Sequence, residues 1–89
     1  MTQEKAINHL ATLVAYTFDD GLNDPTASLV YKTPIACTEE FVRNLVLDIK
    51  DELIKRGYPI TDAVAGASQV NNGLVYVTSL CFRREISNA

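Results

Sequence analysis

The stretch from Thr38 to Gly57 constrains the fold more than any other part of the chain. Phe41, Val42, Leu45, Val46, Ile49 and Leu53 recur at the spacing of one face of an α-helix. Both ends are marked. Thr38 supplies a capping hydroxyl, and Glu39 and Glu40 sit at the positive end of the helix dipole. Lys55 and Arg56 occupy the last turn, and Gly57 is the stop. Glu39/Arg43, Asp51/Lys55 and Glu52/Arg56 are i,i+4 pairs in the favourable acid-first order. A helix with one apolar face needs a second layer to cover that face.

The C-terminal third offers that layer. Asn72-Gly73 between two apolar runs is a strong hairpin signal, because a two-residue type I′ turn needs positive φ at both positions. With those two as the loop, Val70 faces Val75 and Ala65 faces Leu80. Ala63, Ala65, Ala67, Tyr76, Leu80 and Phe82 then share one face, and Val64, Val70, Val75, Val77 and Cys81 the other. Both faces come out apolar, which predicts that both are covered, one by helices and the other by a partner subunit.

Upstream, Ala6, Ile7, Leu10, Ala11, Leu13, Val14 and Phe18 form a stripe that predicts a helix over residues 3–18, with Thr2 as its cap. It stops at the breaker run Asp19-Asp20-Gly21-Leu22-Asn23-Asp24-Pro25. Residues 28–36 read as extended, with Pro34 marking an edge or an end. The order is α-β-α-β-β. The expected fold is α+β: two helices on a three-stranded, mostly antiparallel sheet with a C-terminal β-hairpin. At 89 residues, the chain forms one domain, 1–89.

A chain this short buries a small share of its surface, so disulfides, a metal or self-association are the usual supports. Met1-Thr2-Gln3-Glu4-Lys5 has neither the basic nor the apolar region of a secretory signal, which points to a cytoplasmic setting and to Cys37 and Cys81 as free thiols. Two cysteines and His9 fall short of a four-ligand zinc site. No cofactor is expected, and no apolar run reaches bilayer length. Self-association, as a homodimer, remains. A net charge of −3 disfavours nucleic acid as a partner.

Several groupings invite a functional reading, each beside a plainer one. Asp19 to Asp24 is acidic but lacks the spacing of a calcium loop, and a solvated turn accounts for it. Lys5, His9, Thr12 and Tyr16 fall on one side of the first helix. They could hold an anion or move a proton, or be an ordinary polar face. Cys37 precedes a helix N-terminus, where a thiol is activated, yet a catalytic cysteine needs a base. Tyr31, Lys32, Tyr76, Arg83 and Arg84 form a basic aromatic spot for a ligand or anion if the first and last strands are neighbours. Otherwise they are edge charges that prevent aggregation. Leu47 and Ile54, with Lys50 between them, lie off the main stripe of the second helix and mark a second packing surface, or are covered by the first helix or the chain termini.

No phosphate loop, nucleophile elbow or metal-binding helix motif is present, so an enzyme is not expected. The leading expectation is a non-enzymatic protein-interaction module. It would be an adaptor or inhibitor, of the kind found among phage and mobile-element accessory proteins, acting as a homo-oligomer on a protein partner. The alternative is a small-molecule or nucleotide sensor with its site near the sheet edge.

Overall fold

A computed structural model describes residues 3–86. Helix α1 (Gln3–Asp20) is followed by strand β1 (Thr26–Val30), helix α2 (Glu39–Lys55) and strands β2 (Ile60–Gln69) and β3 (Val75–Arg84). The sheet is antiparallel in the order β1-β3-β2, so the last strand is central. The expected α+β architecture is the one found. Thr2, read as the cap of α1, lies outside the described residues.

Helix α2 forms as its ends dictate. The Thr38 hydroxyl accepts a hydrogen bond from Phe41 N–H at 3.1 Å. At the other end, Gly57 takes φ 96°, and Tyr58 N–H reaches back to the Leu53 carbonyl at 3.0 Å, closing a Schellman turn. Of the three acid-first pairs, Glu52–Arg56 closes, at 2.9 Å. Arg56 continues to Thr12 Oγ1 at 2.9 Å and the Asn8 carbonyl at 3.3 Å, tying the two helices together.

Both helices lie on one face of the sheet. Leu10, Val14 and Phe18 from α1 and Leu45, Ile49 and Leu53 from α2 are buried with Val77, Leu80 and Phe82 of β3. Helix α1 packs on β1, and α2 packs on β2 and β3.

The hairpin departs from the expected register. A single 3-10 turn, Asn71–Gly73, replaces the two-residue loop, although Asn72 and Gly73 both have φ 73° as the signal required. Ala65 still faces Leu80. Between Gly66/Ser79 and Ala67/Val77 the register slips, leaving Thr78 as an extra residue in β3. The bulge reverses the side-chain phase of β3. Val75 and Val77 therefore join Leu80 and Phe82 in the core, while Tyr76 turns outward with Val64.

The sheet thus has one apolar face rather than two. The uncovered face carries Ser28, Cys81 and Val64 in one row and Val30, Ser79 and Gly66 in the next, a mix of small and polar residues. Gly66 suits the bulge, because a Cβ there would collide with Ser79 Oγ.

Candidate functional site

The first surface to weigh is the basic aromatic spot, because β1 and β3 are indeed neighbours. The five residues do not converge as a ligand site would require. Tyr31 packs against the core, whereas Lys32, Tyr76 and Arg83 are exposed. Tyr76 stands opposite Ser68, and Arg83 opposite Thr26 and Asp62.

Arg84 is committed elsewhere. Its Nη2 donates to the carbonyls of Phe18 at 3.1 Å, Gly21 at 2.9 Å and Leu22 at 3.1 Å, and its Nε to the Asp24 carbonyl at 3.1 Å. The guanidinium carbon lies 4.4 Å from the Phe18 ring centroid. Arg84 therefore caps the C-terminal end of α1 from the far end of the chain.

Tyr58 completes this cluster. Its ring stacks on Phe18 with centroids 6.0 Å apart, and its hydroxyl donates to Asp19 Oδ1 at 2.9 Å. Burial, then the hydrogen bond to Asp19, pushes the phenol above its ordinary range. A phenol held in its protonated form is poorly suited to act as a base at neutral pH.

Lys5 of helix α1 is exposed. His9 and Tyr16 are exposed, and Thr12 Oγ1 is taken up by the Asn8 carbonyl and Arg56. Cys37 is a half-buried free thiol whose backbone pairs with Val75, and Cys81 is a half-buried free thiol that accepts from Ser28 Oγ at 3.6 Å. Asp24, in the acidic turn, accepts from the Thr26 N–H and hydroxyl, the local bonding of a turn. Among the described residues, no His, Cys, Asp and Glu side chains group as a metal site would.

Helix α2 and strand β2 present something different. Leu47 and Ile54 are 47% and 48% exposed, and Lys50 lies half-buried between them. Helical spacing puts all three, with Arg43, on the flank of α2 that leads towards Glu39 and Val46. An apolar groove of about 330 Å³ opens there between α2 and β2. Val42, Val46, Val64, Ala65, Ala67 and Val75 line it, with Glu39 and Arg43 at the rim. Ala65 and Ala67 of β2 leave space in the groove that longer side chains at those positions would fill.

Beside the groove runs the open edge of β2, which pairs with β3 alone. The two edges of the sheet are unlike. Strand β1 is five residues long and lies between Pro25 and Pro34, with Lys32 beyond its end, devices that discourage pairing. Strand β2 is ten residues long, and Asp62 is its one charge, with no proline or lysine. The sequence reading singled out Leu47, Lys50 and Ile54 but not this edge. Its signal was present in the uncharged run from Ala63 to Val70, which period-two counting treated only as a hairpin arm.

No helix among the described residues is long and apolar enough to cross a membrane. Set against known protein families, curated proteins and solved structures, the chain matches none of them.

Proposed function

We propose that this chain is a non-enzymatic protein-interaction module, an adaptor or inhibitor working in the cytoplasm, and that its working surface is the seam between α2 and the edge of β2. The carrying observation is the coincidence, along one flank, of an undefended strand edge, an apolar groove and two half-exposed aliphatic side chains. A solitary monomer gains nothing from any of the three.

The energetics fit an auxiliary contact better than a permanent core. Full burial of a Leu or Ile side chain contributes about 1.5–3 kcal/mol. Leu47 and Ile54 are already about half covered, so complete burial of both adds roughly the value for one such side chain. That is modest against the entropy lost on association, so the strand edge and the groove must contribute the rest. A second copy of the chain, giving a two-fold homodimer, and a different protein are both eligible to occupy the seam.

The test is native size. The chain, tagged and expressed at its natural level, is sized by gel filtration of an extract of its own host. The expected result is migration well above the mass of one chain, reverting to one chain in a Leu47→Asp/Ile54→Asp variant. Purified protein sized by light scattering then distinguishes a homodimer from a complex with another protein. Wild-type protein running as a single chain in the extract refutes the proposal.

A further inference from the structure

Resting on that reading, we infer that the occupant of the seam is an extended segment of another polypeptide, added to β2 as a fourth strand, with aliphatic residues at alternate positions and acidic residues near its middle. Three observations carry this. The first is a mismatch of widths. Two helices side by side span about 20 Å. Three strands span about 14 Å. The difference is close to one strand spacing. Helix α1 sits over β1 and α2 over β2 and β3, and the groove opens between α2 and β2.

The second observation is the shape of the groove. A strand paired to β2 points every second side chain towards the helix layer. There it would meet Val42 and Val46 of α2 across the short side chains of Ala65 and Ala67. Large aliphatic side chains fill such a space. A second copy of β2 brings its own alanines to that position and fills it poorly. Direct β2-to-β2 pairing with the helix layers on the same side would also bring two α2 helices together above the seam, because α2 lies over β2. The geometry therefore favours a foreign strand over a second copy.

The third observation is charge. The chain is acidic overall, yet Arg43 and Lys50 face this flank, and among the described residues neither has a carboxylate within ion-pair reach. Glu39 stands at the N-terminal end of the same rim. The cations lie further along the flank, so acidic residues in the middle of the added strand meet them without facing Glu39. This is strand addition, in which main-chain hydrogen bonds supply affinity and alternate pockets supply selectivity.

The test uses a random twelve-residue peptide library displayed on phage, selected against the purified full chain. Selected peptides are then titrated into labelled protein and followed by amide chemical shifts and hydrogen exchange. The expected peptides carry aliphatics at every second position with interleaved Asp or Glu. They should slow exchange of β2 amides across residues 62–69 and shift Val42 and Val46. Ala67→Phe, which fills the groove from an exposed position, should weaken binding at least tenfold while leaving the fold intact by the same spectra. Arg43→Glu with Lys50→Glu should weaken it about three- to tenfold at low salt.

Peptides with helical i,i+3/i+4 spacing that shift Leu47 and Ile54 but leave β2 exchange unchanged would overturn strand addition and keep the interaction module. Protection of β2 without peptide, with a mass of two chains, would overturn the foreign strand in favour of a second copy. No enriched peptide, with a one-chain mass in host extract, would remove both readings.

Discussion

Replacing Arg84 tests the most consequential long-range contact in the chain. One guanidinium serves four main-chain carbonyls at 2.9 to 3.1 Å and lies over the Phe18 ring. In Arg84→Met the stem and much of the volume remain while all of those donors vanish. The Asp24 and Leu22 carbonyls are at exposed bonds and rehydrate at little cost. The bonds to Phe18 and Gly21 are partly buried, and an orphaned acceptor there costs about 1 kcal/mol each, at the low end of the usual range. Loss of the cation–π contact adds about 0.5–1 kcal/mol. The expected destabilisation is about 3 kcal/mol, a large fraction of what a domain of this size possesses.

In urea, with a slope of about 1 kcal/mol/M for a small protein, the midpoint should fall by about 3 M with the slope unchanged. Arg84→Lys separates charge from geometry. An ammonium keeps the favourable charge beside a helix C-terminus but cannot reach four carbonyls in a plane, so it should recover about 1 kcal/mol. Far-ultraviolet circular dichroism reads both unfolding curves. A shift under about 0.5 kcal/mol for Met would refute the capping role. Wild-type stability in Lys would show that charge alone matters and the fork does not.

Three further outcomes follow from the same structure. Thr38→Ala should cost about 1 kcal/mol in urea unfolding, because Phe41 N–H loses its side-chain acceptor. The raised phenol of Tyr58 means the folded state holds that proton more tightly than the unfolded chain. Its contribution is therefore complete below the ordinary value of 10.0 and is lost as pH rises through the folded value. Urea midpoints at about pH 8 and about pH 11 should converge more closely in Tyr58→Phe than in wild type, with equal gaps counting against this assignment. Intact mass after alkylation of unfolded, unreduced protein should show both Cys37 and Cys81 modified, and a mass lacking both adducts would reveal a bridge.

What the sequence made legible was local, and what it hid was relational. Helix α2 was readable because its stripe, cap, charges and stop all lie within residues 38–57 and agree with one another. The hairpin was readable for the same reason: Asn72 and Gly73 impose their own backbone angles. The bulge was not counted, although Gly66 in mid-strand is a recognised sign of one. Missing it placed Tyr76 with Leu80 and Phe82 and produced a second apolar face that does not exist. Arg84 was grouped with Arg83 by adjacency, yet β-strand neighbours point to opposite faces, and its acceptors lie some sixty residues upstream.

The bulge in the hairpin changes where a partner is to be sought. With two apolar faces, a second subunit stacked on the sheet would be the natural cover. With the bulge in place, four large side chains of β3 serve one core beneath two helices, and the opposite face carries serines, a glycine and scattered aliphatics. The surface proposed for a partner thereby moves from the face of the sheet to its edge. There, pairing is limited by backbone groups rather than by side-chain area, and an added strand satisfies hydrogen bonds that a face-to-face contact leaves to water. The short, proline-flanked β1 and the long, nearly uncharged β2 were both legible as strings of residues. Only the order β1-β3-β2 makes them opposite edges of one sheet, and only the groove between α2 and β2 distinguishes one of those edges as the proposed binding surface.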